Sequence, residues 1–204
     1  MTLPTSLPTY HQLRRLLVLG GCVLSIGACS SGTNSDNPVT AALAQNEKRI
    51  DDLDITKKQK QDAEFMVNTA ADGILNQQLA TVALQRAATP SVRNLAQNQL
   101  NQYIKMTGEL KTLAGRKGIT LPDALGAERQ EIYKNLSALT GTAFDKKYSE
   151  AMVDRQKDAV DTYEDLSEDA YDGDIRGFAA KYLPVLQQQV AQAQQVQDEV
   201  EKLP

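Results

Sequence analysis

The chain has 204 residues, with 22 Lys or Arg, 26 Asp or Glu, one His and a formal net charge of −4. That length suits one domain with extra segments and is short for two full domains. The mildly acidic balance, with no basic stripe, argues against a nucleic-acid partner.

The first segment reads as an address. Arg14 and Arg15 form a positive region, followed by an apolar stretch from Leu16 to Ile26 that is too short to span a bilayer, which takes ~20 apolar residues. Ile26-Gly27-Ala28-Cys29 then places small residues directly before a cysteine. This order resembles the lipobox of bacterial lipoproteins, in which the cysteine is lipidated and becomes the first mature residue. Cys22, after Leu19-Gly20-Gly21, is the competing site, but cleavage there leaves an apolar run of only about six residues. We therefore expect a lipoprotein signal peptide over 1–28 and a lipid on Cys29, which would hold the protein to the membrane. Ser30 follows the cysteine where inner-membrane lipoproteins tend to carry Asp. In a Gram-negative cell this implies the cell envelope, at the outer membrane facing the periplasm. Cleavage would remove His11, the only histidine, and Cys22. The mature chain would then have no imidazole for a catalytic triad or a metal, and no free thiol.

Residues 29–55 are expected to be the lipidated Cys and a flexible tether, opening with the small polar run Ser30 to Asn37. Pro38 to Asp54 has room for a short helix, with apolar residues too sparse for a core. The helical domain is expected over 56–204. Phe65, Ala70, Ile74, Gln78 and Val82 fall near one face at helical spacing. Thr89-Pro90 reads as an N-cap with Pro at the first helical position. Val92, Ala96, Gln99, Tyr103, Leu110 and Leu113 mark the second face, and Gly118 stops that helix. A shorter helix follows over Ala127 to Ser137, closed by Thr140-Gly141. Thr142 is the expected cap of the next helix, which presents Phe144, Tyr148, Met152, Gln156, Ala159 and Tyr163. Asp174 is the expected cap of the last helix, which presents Phe178, Tyr182, Leu186, Gln189, Ala193, Val196 and Val200 and contains Pro184. No alternating run suggests a strand, and no sequence repeat stands out. The fold class is all-α: a ferritin-like up-down four-helix bundle, with one short extra helix in the long connection.

Several landmarks fall in a specific order: Asp62-x-x-Phe65, Pro90-Ser91-Val92-Arg93-x-Leu95-Ala96, Lys117-Gly118-Ile119-Thr120-Leu121-Pro122, Leu139-Thr140-Gly141-x-x-Phe144-Asp145-x-x-Tyr148, and Leu183-Pro184-x-Leu186. Over roughly two thirds of the chain they resemble the bacterial family called domain of unknown function 4142, whose members are ferritin-like bundles, often exported. The resemblance implies histidines on the second, third and fourth long helices and a Glu pair on the first. Tyr103, Gln156 and Gln189 stand at the three histidine places, and Asn76 and Gln78 near the Glu pair. Neutral amides and a phenol are weak metal ligands but good mutual hydrogen-bonding groups. We therefore expect a buried polar layer of Gln78, Tyr103, Gln156 and Gln189, with no metal and no cofactor. Its role is to fix helix register or to line a small-ligand pocket, with a residual metal site as the third alternative.

The acidic stretch from Asp154 to Asp174 lacks the spacing of a calcium loop and reads as a solvated face. The leading functional expectation is a lipid-anchored, periplasm-facing, non-enzymatic binding or structural envelope protein. One alternative is a ferritin-like metal-binding or oxidative-stress protein with a carboxylate-only site, for which Asp62, Glu64 and Glu109 would have to turn inward. Another is a partner-binding module using the C-terminal helix around Val196 and Val200, for an envelope protein partner. Ligand, partner and oligomeric state are not written in the sequence.

Overall fold

A computed structural model describes residues 37–51 and 57–203. The signal segment 1–28 and Cys29 lie outside the described residues. Six helices occur among the described residues: α1 (Pro38–Asp51), α2 (Lys57–Arg86), α3 (Pro90–Lys117), α4 (Ala127–Ser137), α5 (Gly141–Asp169) and α6 (Gly173–Val200). The four long ones have 30, 28, 29 and 28 residues, so each is ~40 Å long at 1.5 Å per residue.

Local chemistry sets the helix ends. Thr89 caps α3 through its hydroxyl, which accepts from the Val92 N–H, with Pro90 in the first turn. Gly118 ends α3 in the left-handed region at φ 64°, where a side chain would be strained. Two expected caps are displaced by two residues each. Thr140, not Thr142, is the N-cap residue of α5, though its side chain makes no capping bond. Asp172, not Asp174, caps α6, accepting from the N–H groups of Asp174 and Ile175. Pro184 lies inside a continuous α6.

The long helices form two hairpins, α2–α3 and α5–α6, and the hairpins pack side by side through α2 against α5 and α3 against α6. Each hairpin clasps the turn of the other. The buried carboxylate of Asp145, in the first turns of α5, accepts the Ala88 and Thr89 N–H groups at 3.0 and 2.8 Å. Asp62, in the first turns of α2, accepts the Tyr171 and Asp172 N–H groups at 3.1 and 2.7 Å. Arg93 donates back to the carbonyls of Ala87 and Ala88, and Arg176 to those of Ala170 and Tyr171. Asp62 and Asp145, Thr89 and Asp172, and Arg93 and Arg176 are separated by the same stretch of chain, 83 residues. The bundle therefore contains a repeated hairpin that inspection of the sequence did not find.

This clasping fixes direction. α5 begins at the α2–α3 turn and ends beside the start of α2, so α5 is antiparallel to α2 and parallel to α3. The connection from Gly118 to Thr140, carrying α4, must run the length of the bundle, as in ferritin-like folds. It passes along α2, where α4 packs and Arg129 reaches Asp72.

Within the segment expected to be tether, the short helix that the sequence left room for is present, but it is packed on the bundle. Residues 38–51 form α1, which buries Val39, Ala42, Asn46 and Ile50 and packs on Val67 and Ala71 of α2. Asn46 pairs with the Thr120 backbone through two bonds of 2.8 Å, donating to its carbonyl and accepting its N–H. Sparse apolar residues suffice here because small residues on α2 allow close approach.

Beside the small α1–α2 cluster, the core of the four long helices lies in two clusters along the bundle. One centres on Leu75, Leu79, Leu95, Phe144, Tyr148 and Met152. The other centres on Phe65, Tyr103, Leu110, Tyr163, Phe178 and Tyr182, joined by ring contacts such as Phe65–Tyr163 at 5.2 Å and Phe178–Tyr182 at 4.9 Å. Among the described residues no helix is long and apolar enough to cross a membrane.

Candidate functional site

On each long helix a buried amide marks the boundary between the two core clusters. These are Asn76 on α2, Gln99 on α3, Gln156 on α5 and Gln189 on α6, none more than 5% exposed. Tyr103, 3% exposed, lies one turn beyond Gln99. Three of the four residues expected in the polar layer, Tyr103, Gln156 and Gln189, are thus buried. Gln78 is not: it faces solvent, and Asn76 takes its place. The reason is that α2 is buried on more than one side, because α1 and α4 cover its outer face. A single-stripe reading of α2 therefore puts its register wrong. Gln99, noted in sequence only as part of a face, accepts the Tyr148 hydroxyl at 2.8 Å.

The seam is only partly satisfied internally. Both polar atoms of the Gln156 amide, Oε1 of Gln189 and Nε2 of Gln99 are buried without a hydrogen-bond partner. Gln156 lies near enough to Tyr103 to favour its phenolate electrostatically, but not in hydrogen-bond geometry. Burial dominates the Tyr103 hydroxyl and, with Asp72 adding to it against Arg155 and Gln156, its pKa is pushed up to about 12. Burial likewise pushes the Tyr148 and Tyr163 hydroxyls up. All three are neutral phenols at physiological pH.

Beside the seam, α2, α3 and α5, with Leu186 of α6, line a cleft of about 280 Å³. Its inner side is apolar and aromatic, formed by Phe65, Tyr103, Met106, Ala159, Tyr163 and Leu186. Its outer side is polar, formed by Asn68, Thr69, Asp72, Asn76, Arg155 and Asp158. The centre of the polar side is Asp72. Arg129 of α4 grips it in bidentate fashion, Nε to Oδ1 at 2.9 Å and Nη2 to Oδ2 at 3.0 Å. Arg155 of α5 donates from Nη2 to the same Oδ1 at 2.6 Å and from Nε to Asn76 at 3.2 Å. One carboxylate thus ties the connection helix and α5 to α2. None of these three residues announces itself in sequence, since each pairing joins chain segments more than fifty residues apart.

The donor set does not fit a transition metal. The places where the resemblance implies histidines hold a neutral phenol and two amides, which bring no charge to offset a cation. Among the described residues no group of three or more His, Cys, Asp or Glu is placed to hold a metal ion. The carboxylates required by a carboxylate-only site do not converge. Asp62 is taken up by the α5–α6 turn, Glu64 is exposed and Glu109 pairs with Lys181 at 2.5 Å.

A family model matches residues 51–196. The chain belongs to the family described as Domain of unknown function (DUF4142). The match to this DUF4142 family begins at the end of α1, spans α2, α3 and α5, and covers α6 as far as Val196. No curated protein and no solved structure matches the chain.

The acidic residues of α5 from Asp154 to Asp169 are exposed, a solvated face. On α6, Val200 is buried and Val196 packs against the core. These two valines therefore do not form a free partner surface, and charging them would break the fold before testing a partner. The exposed side of that helix is polar, with Gln187, Gln188, Gln194 and Gln195.

Proposed function

We propose that this DUF4142 protein is a non-catalytic binding module of the cell envelope, held to the outer membrane by a lipid on Cys29 and facing the periplasm. The observation that carries the binding role is the cleft between α2, α3 and α5. It joins a polar mouth, braced by the Asp72–Arg155–Arg129 cluster, to an aromatic interior. Clefts that hold small ligands have this composition, apolar walls with a few placed polar groups. The address rests on the order of charge, apolar run, small residues and cysteine in the first thirty residues.

The non-catalytic part rests on chemistry. The tyrosines in the cleft, Tyr103 and Tyr163, stay protonated near neutral pH and so offer no phenolate to accept a proton. Asp72 is neutralised by two guanidinium groups, and the seam offers amides where a redox metal would need charged or imidazole donors. Metal analysis of the purified protein, with no histidine tag and after growth with added iron and manganese, tests this reading. Less than about a tenth of an equivalent of any transition metal is expected. Stoichiometric iron, manganese or zinc, or reproducible turnover of a redox or hydrolytic substrate, would overturn it.

A further inference from the structure

The polar side of the cleft is only half used by the protein itself. Arg155 spends Nε on Asn76 and Nη2 on Asp72, drawn toward α2. Among the described residues its Nη1 has no partner. Asp158, one helical turn further along α5, also lines the cleft. Its carboxylate pairs with no described residue, because Arg155 is turned away to α2. The polar lining of the cleft therefore includes an arginine with one nitrogen unengaged and an unpaired carboxylate, both on α5, over an aromatic and aliphatic interior.

Charge narrows the choice of ligand. Asp72 and Asp158 balance Arg129 and Arg155, so a ligand of net charge would leave the site unbalanced. A zwitterion would not, and its two ends would meet the two free groups. The interior adds an apolar requirement. A 150 Å³ cavity accommodates a benzene, so about 280 Å³ has room for a ring or branched chain with a compact head.

We propose, resting on the binding reading above, that the cleft takes a small zwitterion of the α-amino-acid class with an apolar side chain. Its carboxylate pairs with Arg155, its ammonium with Asp158, and its side chain lies against Phe65, Met106 and Leu186. Arginine is suited to carboxylate through its planar donors, and a partly exposed ammonium–carboxylate pair contributes less.

The test is calorimetric titration of the purified full-length protein with phenylalanine and leucine. Glycine lacks the side chain, 3-phenylpropionate lacks the ammonium, and phenethylamine lacks the carboxylate. At least one of the two amino acids should bind in the millimolar range or tighter, with each truncated probe several-fold weaker. Arg155→Gln should weaken binding on the order of tenfold or more. Asp158→Asn should weaken it about threefold. Asp158 is exposed and unpaired, so that variant folds normally and keeps the test clean if Arg155→Gln disturbs α2. Asp154→Asn, on the exposed face outside the cleft, should change nothing. Binding of 3-phenylpropionate as tight as phenylalanine, indifference to Asp158→Asn, or no binding of either amino acid would overturn the proposal. Those results leave the non-catalytic reading standing, since that reading falls only to metal or turnover.

Discussion

Single carboxylates carry much of the architecture. Asp145 is fully buried and accepts two backbone N–H groups at 2.8 to 3.0 Å. An amide at that position has one acceptor oxygen and an NH₂ group turned toward a donor. Asp145→Asn should therefore destabilise the protein by about 1.5–3 kcal/mol, the range for hydrogen bonds to charged groups. A shift in the urea midpoint with an unchanged slope would register it. Asp172 adds a pH dependence. Burial alone would raise its pKa, but the Lys117 ammonium at 2.6 Å and the N–H groups of Asp174 and Ile175 outweigh burial and hold the carboxyl below its ordinary 3.8. A lowered folded pKa gives stability that is complete above the unfolded value and lost as pH falls through the folded one. Urea midpoints of the wild type and Asp172→Asn, compared at neutral pH and in steps below about pH 4, should converge as acid is added. Parallel curves would remove Asp172 from the acid transition. Asp62 acts in the opposite sense, since burial raises its pKa, and its contribution to stability declines as pH rises through the acid range. At this scale the sequence was legible where one residue does one local job, as with Thr89 and Gly118. It was not legible at Asp72 or Arg155, whose partners lie on other helices.

At the scale of elements, what separates the readable helices from the unreadable one is how many sides are covered. On α3, α5 and α6 the faces expected from spacing are the buried ones, down to Tyr103, Gln156 and Gln189. α2 has neighbours on several sides, and its contact residues include many alanines and a glycine, which carry little hydrophobic signal. So Gln78 looked interior and Asn76 did not. Gly73 shows what those small residues do. A Cβ placed there would lie 2.2 Å from Thr107 Cγ2, so α2 and α3 touch almost backbone to side chain. Gly73→Ala should cost about 1–3 kcal/mol through overpacking, more than any gain in helix propensity. Adding Thr107→Ser removes the offending methyl and keeps the hydroxyl that accepts from Gln77 at 2.9 Å. The double variant should recover most of the loss in thermal unfolding. An equal loss in single and double variants would locate the strain elsewhere.

At the scale of the whole molecule, the proposed address can be tested separately from the bundle. If Cys29 is the lipidated residue, Cys29→Ser should abolish incorporation of labelled palmitate and release the protein from the membrane fraction, while Cys22→Ser should leave both intact. The reverse pattern would move the mature start to Cys22. Fold class, the four long helices and the short helix in the connection were readable from spacing and turn residues, whereas α1 was allowed for only as a short helix within a tether. The repeated hairpin was hidden because its two copies share the clasping Asp and Arg, the position of the cap and only a few other residues, such as Ala87 and Ala170. Asp, Arg and the cap recur at a fixed separation while the intervening faces diverge, so composition and periodicity pass over it.

The reciprocal clasp has a consequence for how this chain would respond to cutting. Each turn depends for its N–H partners on an acid carried by the opposite half: Asp145 serves the α2–α3 turn and Asp62 the α5–α6 turn. The connection between the halves joins them covalently but supplies neither acid. A protease nick between Gly118 and Thr140 would therefore leave two fragments that are each other's missing component. They should stay together as a heterodimer through size-exclusion chromatography, and they should reassociate from separate preparations, whereas either fragment alone would retain an unsatisfied turn and an uncovered apolar face.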